Sequence, residues 1–528
     1  MRSKTPLPKP ISPRPTSNQS SDRPLSVIKL ASPQLDFPPA WTWFVDEMVP
    51  AYVKEHYSPR DSWKDKPFAK EDVRFFSKGV KDLSELFTEE RPEQIPAYFQ
   101  HPKFRSAYLL YFLPLQMAKF VSLFEMHNAA VQAALEHGRK QGVLRIADLG
   151  AGPGTASIGF LLRLLQARGG DFPPIELYWF DTQRTIMEDG KALVQALSDQ
   201  FPRLRGKVTV HLQTANWWDA PAQLKAPMSL ILLGHVMNEA KTLPNRFKAR
   251  EDEEPLDLLD SGEGPVGNED YDGEETEAET TKKPKIETIW ANLLEKAQGG
   301  GVLFVEPAAK TTSQFLSRLR NRLFQTETIE KTATMLWGPC PHAETCPLSY
   351  GKDYCHFSVP TRVPGRWFAE FSKALGSERL WLKFSYLWIT SNDQRSPKRN
   401  PTHKLVISDP LTKAGDVLIC EPERPGRINT AHLGPVWRGD ILQVGGSADG
   451  ASAPSTKPVG GKSFTAKAAY PKASPKDFDE RPRGKKPAFG GRSASGDKPS
   501  YGKPKSFRNE GKPSGGKFGG IRVKKKSK

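Results

Sequence analysis

Apolar residues in the first part of the chain recur at helical spacing. Trp41, Phe44, Val45, Met48 and Val49 fall on one face, and so do Val73, Phe76, Val80, Leu83 and Leu86. A denser stripe follows in Leu109, Leu110, Phe112, Leu113, Met117, Phe120 and Val121. Residues 107–124 are the most apolar stretch, but Pro114, Gln116 and Lys119 interrupt it. It reads as a buried amphipathic helix rather than a membrane span. Residues 37–140 are therefore expected to form an α-helical N-terminal domain.

The rhythm then changes. Short apolar runs at 143–148, 175–181, 208–212, 228–233 and 301–306 have the length and β-branched or aromatic content of buried strands. Helical patterns at 155–167 and 185–197 separate the first of them. Alternation of this kind predicts an α/β fold over residues 141–325, a parallel sheet with helices on both faces. A helix over 311–324 follows. Runs at 379–390, 404–408, 415–420 and 440–443 then read as C-terminal β-strands of a module spanning 326–445.

Charge changes the picture at the ends and in one interruption. The chain carries a net +17, yet from Gln443 to Lys528 there are 21 Lys/Arg against 6 Asp/Glu, which leaves only +2 for the rest. Residues 446–528 thus read as a disordered basic tail. Its cations are interleaved with Phe464, Tyr470, Phe478, Phe489, Tyr501, Phe507 and Phe518, a pairing that suits phosphate backbones and unpaired bases, RNA above all. Residues 251–280 hold 14 Asp/Glu and no Lys or Arg, so a disordered acidic insert is expected over 244–285. Residues 1–36 are rich in Pro, Ser, Lys and Arg and are expected to be disordered. They lack the apolar core of a signal peptide, and their prolines spoil the amphipathic helix of a transit peptide. Four cysteines in 528 residues do not make a secreted disulfide framework. The bacterial cytoplasm is the expected location, with the mitochondrial matrix as the alternative.

Two motifs carry candidate chemistry. Asp148-Leu-Gly150-Ala-Gly152-Pro-Gly154-Thr155 follows a strand and opens a helix, the context in which glycines allow a backbone to approach a nucleotide. A dinucleotide loop needs G-x-G-x-x-G/A, and Thr155 departs from it. An acid followed by Gly150, Gly152 and Gly154 instead fits S-adenosylmethionine, whose ammonium an acid attracts. Asp181, at the end of the second strand, is placed to accept ribose hydroxyls. Asn216 and Trp217, after the third, are candidates to line the adenine. Beyond strand four, His235, Asn238 and Glu239 are the candidates for a polar substrate contact, and the Asn/Asp-Pro-Pro-aromatic grip of amine methylases is missing. No catalytic residue can be named.

The second motif is Cys340-Pro-His-Ala-Glu-Thr-Cys346-Pro-Leu, then Tyr354-Cys355-His356-Phe357, with Cys420 at the end of a later strand. Four thiols with none left over fit one tetrahedral metal centre or an iron–sulfur cluster. Separations of 6, 9 and 65 positions match neither a zinc ribbon nor a ferredoxin run, so spacing leaves zinc and iron–sulfur open. Pro339, Pro341 and Pro347 are expected to hold the segment extended. His342 and His356 could donate hydrogen bonds from behind the ligands.

These residues together resemble one family. C-P-H-x-x-x-C-P-L, an aromatic-Cys-His-Phe, and a late cysteine in Gly415-Asp-Val-Leu-Ile-Cys420, all behind an Asp-Leu-Gly-x-Gly-x-Gly loop, are similar to the methyltransferase-like assembly factors of the mitochondrial small ribosomal subunit and their bacterial counterparts. Tyr98-Phe-Gln-His-Pro102, Ala107-Tyr-Leu-Leu-Tyr-Phe-Leu-Pro114 and Leu233-Gly-His-Val-Met-Asn-Glu239 add to the likeness, which covers about residues 40–445. The resemblance implies a Rossmann-like S-adenosylmethionine methyltransferase fold with a Cys-rich iron–sulfur insertion. It implies a 4Fe-4S cluster on Cys340, Cys346, Cys355 and Cys420. It also implies that small-subunit ribosomal RNA and the pre-ribosomal particle are the partners, with no membrane and no DNA. Methyl transfer to that RNA is the alternative activity.

Overall fold

Continuous apolar runs make sense only for strands covered on both faces, and the computed structural model places them so. It describes residues 27–31, 37–88, 98–166, 172–239, 286–325, 334–342, 344–360, 363–376, 381–391, 402–422 and 424–445. The expected acidic insert and basic tail, and most of residues 1–36, lie outside the described residues. The strands in chain order are β1 (Val27–Ala31), β2 (Leu144–Leu149), β3 (Ile175–Asp181), β4 (Val208–Thr214), β5 (Leu230–Gly234), β6 (Val302–Pro307) and β7 (Thr334–Gly338). They continue with β8 (Phe357–Pro360), β9 (Trp381–Ser391), β10 (His403–Leu405), β11 (Asp416–Ile419), β12 (Gly426–Asn429) and β13 (Ile441–Val444).

Eight strands form one sheet in the order β4-β3-β2-β5-β6-β9-β7, with β8 also on β9. β2 to β6 are mutually parallel, and β9 runs antiparallel to β6, β7 and β8. The order reverses between β2 and β5, and in such sheets ligands bind beyond the carboxyl ends of the strands at that point. A parallel sheet that turns back at β2 and receives an antiparallel strand beside β6 is the Rossmann-like methyltransferase arrangement. The α/β expectation is met.

The N-terminal helices do not enclose a core of their own. One hydrophobic cluster runs from Trp41 and Phe44 through the sheet to Phe384 and Cys420. Phe124 meets Phe160 edge-on at 5.2 Å and Trp388 at 6.0 Å, and Tyr111 stacks on Phe368 at 5.0 Å. Pro102–Met126 is long and apolar enough to cross a membrane by length and composition, but 89% of that apolar window is buried inside the protein. Pro50 and Pro114 each follow a single π-helical turn, Phe44–Met48 and Tyr108–Phe112. Proline lacks an N–H and crowds the carbonyl four residues back, and a widened turn accommodates both.

A small second sheet closes the described chain. β1 lies antiparallel to β13, which pairs with β10, and β11 forms a hairpin with β12. Residues 27–31, inside the stretch expected to be disordered, therefore form a strand. Lys29 Nζ meets the buried Asp440 carboxylate at 2.7 Å and fixes that edge. Val27, Val406, Val417, Ile419, Val436 and Leu442 make the small core.

Candidate functional site

The glycine loop hangs from two strands. Gly150 N and Ala151 N both donate to Phe180 O of β3, at 2.7 and 3.0 Å. Gly150, Gly152 and Gly154 all have left-handed φ, 71, 53 and 75°, a region side chains rarely adopt. Space adds a second constraint. A Cβ at Gly150 would lie 2.2 Å from Val236 Cγ1, and one at Gly154 would lie 2.1 Å from the Trp179 ring. Helix Thr155–Gln166 starts at the loop.

Asp148 is 2% exposed, and its Oδ2 accepts Ser157 N at 3.0 Å and Ser157 Oγ at 2.7 Å. Trp179 Nε1 donates in turn to Ser157 Oγ at 3.0 Å. The carboxyl thus holds the first turn of the helix from beneath the loop. Spacing along the chain cannot tell which side of a turn an acid occupies. Burial pushes Asp148 up to about 7, against the two bonds from Ser157. An acid with a raised folded-state pKa binds its proton more tightly when folded, so stability falls as pH rises from 3.8 to about 7 and is level above. Each unit crossed costs about 1.4 kcal/mol. Urea unfolding at pH 5 and pH 8 should show this decline, and Asp148→Asn, which keeps an acceptor for Ser157, should remove most of it. An undiminished decline in the variant would contradict the assignment.

Asp181 stands at the end of β3 as expected. Its Oδ2 accepts Gly152 N at 2.9 Å and Oδ1 accepts Gln183 N at 2.8 Å, so it also clamps the loop. Carboxylate oxygens accept more than one bond, which leaves room for a ribose hydroxyl. Burial raises its pKa. Asn216 Nδ2 donates to Asp219 Oδ2 at 3.4 Å. Trp217 is 8% exposed, edge-on to Trp218, and its buried indole N–H has no hydrogen-bond partner among the described residues. His235 follows β5 with φ 63°, its N–H bonded to Val305 O at 2.8 Å. The side chains of Asn238 and Glu239 lie outside the described residues.

Sequence reasoning missed Phe99. It lies in the turn Tyr98–Gln100, and its ring comes within 3.8 Å of where a side chain at Gly152 would stand. Arg105 holds that turn through Phe99 O at 2.8 Å and also donates to Tyr57 OH at 3.0 Å. Tyr52 donates to Asp189 at 2.8 Å, and Tyr57 bonds the same carboxylate. The motif Tyr98-Phe-Gln-His-Pro102 was the available signal, but it carried no role.

The cysteine segment rests on helix Lys310–Gln325. Asn321 Oδ1 accepts Cys346 N at 2.8 Å, and its Nδ2 donates to Ser349 Oγ at 2.8 Å. Gln314 Nε2 bonds Gly351 O and Asp353 O, both at 3.0 Å. Pro347 does not extend the chain: residues 347–350 turn, and Ser349 Oγ donates back to Cys346 O at 2.8 Å. Cys340, Cys346 and Cys355 line one cavity with Arg320, Ser385 and Tyr386. Cys420 follows β11, and its Sγ lies 3.3 Å from His342 Nε2, so His342 does sit behind a cysteine. His356 instead stacks on Tyr354.

None of the four thiols is in a disulfide. Burial pushes Cys355 well above its usual value, helped by the charges of Cys346 and Cys340. Burial likewise raises Cys420, with Cys340, Cys355 and Cys346 adding to it. The four are thus within electrostatic reach of one another, and thiols raised in this way are poor nucleophiles. Among the described residues, no group of three or more His, Cys, Asp or Glu side chains is arranged to hold a metal ion.

Comparison with known proteins finds a family match over part of the chain. Residues 276–432 match the family described as mitochondrial small ribosomal subunit Rsm22. No curated protein matches the chain. Among solved structures, the plantazolicin methyltransferase BpumL in complex with SAH is 9% identical with a TM-score of 0.24, covering 66% of this chain and 96% of that one. An O-methyltransferase family protein from Burkholderia thailandensis is 12% identical with a TM-score of 0.25, covering 61% and 72%. Those scores are too low to say what the chain does. The family match spans all four cysteines, and the sheet around it has the methyltransferase strand order. Over residues 276–432, the stretch that holds the four cysteines, the chain is similar to the family described as mitochondrial small ribosomal subunit Rsm22.

Proposed function

We propose that this protein is an assembly factor of the small ribosomal subunit that binds small-subunit ribosomal RNA, carries a structural 4Fe-4S cluster on Cys340, Cys346, Cys355 and Cys420, and takes S-adenosylmethionine in its glycine loop. The match of residues 276–432 to a small-subunit family carries the reading. Gly150, Gly152, Gly154 and Asp181 would receive the cofactor, with Asn216 and Trp217 beside it. Support for the cluster comes from the donor set. A zinc ion with Zn–S near 2.3 Å draws its thiolates to within roughly 4 Å of one another. Here Cys340, Cys346 and Cys355 stand around one cavity, and Cys420 lies near enough to all three to feel their charges. The cluster, when bound, supplies a cross-link between the cysteine segment and the end of β11. The family's description favours the mitochondrial matrix over a bacterial cytoplasm.

The basic tail gives the reading a direct test. Removing residues 446–528 should lower affinity for small-subunit RNA by roughly tenfold or more at low salt and flatten the salt dependence, as expected when phosphate contacts are lost. Unchanged affinity and slope in filter binding would exclude the tail from RNA contact. Anaerobically purified full-length protein should contain about four iron and four labile sulfide per chain; stoichiometric zinc would replace the cluster with a zinc site. A second reading, an active ribosomal RNA methyltransferase, is favoured by the intact left-handed geometry of the loop. Loss of one methyl mark from small-subunit RNA in a deletion strain, read by mass spectrometry, would establish it.

A further inference from the structure

Arg320 is a fully buried cation with no ion pair among the described residues. It is 1% exposed, on the helix beneath the cysteine segment, and it lines the cavity of Cys340, Cys346 and Cys355. Its partners among the described residues are neutral. Nη1 donates to Asn321 Oδ1 at 2.9 Å and Glu344 O at 2.5 Å, and Nη2 reaches His342 O and the His342 ring. Its Nε is buried with no hydrogen-bond partner.

A guanidinium stays charged at any pH a protein survives. Taking it out of water without a counter-charge is strongly unfavourable. With the thiols protonated, the cavity that Arg320 lines offers it no negative charge, and the nearby Glu344 carboxylate, largely exposed, is paired with His342. With the four sulfurs as thiolates on a metal core, the same cavity is anionic and the guanidinium has its partner.

We propose that Arg320 is the counter-ion of the four-cysteine centre, giving it a buried positive charge and a spare N–H donor. The inference rests on the reading that these thiols hold an iron–sulfur core. Core binding releases the four thiol protons to solvent, and no electron transfer is involved. Sequence alone does not single out Arg320 from its neighbours Arg318 and Arg322 on the same helix.

The test compares three variants of the full chain, purified anaerobically and reconstituted with iron and sulfide. Arg320→Lys keeps the charge, Arg320→Gln keeps a donor without charge, and Arg320→Met keeps neither. Iron loss to a chelator should quicken roughly 10- to 100-fold in Arg320→Gln and Arg320→Met, the range for residues that support metal ligands. Arg320→Lys should stay much closer to wild type. Thermal midpoints of loaded and iron-free protein should show a larger fall on Arg320→Gln in the loaded form, because the charge has its partner only there. A purely packing role predicts equal falls in both forms, with Arg320→Lys as damaging as Arg320→Gln, and that pattern would overturn the proposal. Should Arg320→Met fail to fold, the ranking of Lys against Gln still decides. Wild-type protein without iron and sulfide refutes the cluster reading itself. Loaded wild type with variants that lose iron no faster refutes only the role of Arg320.

Discussion

Replacing Gly154 with valine is expected to cost the protein about 2–6 kcal/mol and, on the proposed reading, to abolish binding of S-adenosylmethionine. Two independent penalties add. The residue holds φ at 75°, which a β-branched side chain adopts at a cost of about 1–3 kcal/mol. Its Cβ would also lie 2.1 Å from Trp179 Cη2 and Cζ2. That ring cannot retreat, because Trp179 is fully buried and its Nε1 is bonded to Ser157. Forcing extra atoms into such packing costs typically about 1–3 kcal/mol. The displacement falls where Asp181 clamps Gly152, so the ligand face of the loop moves with it. Gly152→Ala is the matched control: its φ is also positive, but the nearest atom to the new Cβ is Phe99 Cε2 at 3.8 Å. It should keep the fold and weaken the ligand. Urea midpoints and calorimetric titration with S-adenosylhomocysteine measure both effects. A Gly154→Val protein of wild-type stability would show that the loop is not packed as described.

If the proposed cluster is held by all four cysteines, serine in place of any one of Cys340, Cys346, Cys355 or Cys420 should bring the protein to a common floor. Iron content should fall to background, and thermal stability should match that of chelator-stripped wild type. A shared core is lost with any of its ligands, and its binding energy is folding energy. The expected loss is above about 4 kcal/mol, a size reserved for features such as a lost metal centre. Four unrelated thiols would behave differently. Cys346 and Cys420 are 5% and 4% exposed, whereas Cys340 and Cys355 are only half-buried. Burying a hydroxyl costs about 1–3 kcal/mol, so separate thiols would give a graded series that follows exposure. A common floor against a graded series is read from four melting curves and four iron assays.

The chain's own pattern showed most of the strands in the large sheet because their apolar runs are continuous. It hid β7, β8 and β12, which are short and bounded by glycine or proline, and β1, whose five residues sit beside a proline-rich stretch. Helix periodicity marked 107–124 as buried but could not reveal the π turns that admit Pro50 and Pro114.

Motif and spacing alone determined the glycine loop, the acid at the end of β3 and the set of four cysteines, because backbone freedom and sulfur chemistry belong to residue types. Tertiary structure alone decided that Asp148 is bonded to the start of the helix through Ser157, that Phe99 lies beside Gly152, and that Arg320 rather than Arg318 or Arg322 lines the thiol cavity. Those outcomes depend on which face of a turn or helix meets which neighbour. Such contacts join residues far apart in the chain, and no local pattern encodes them.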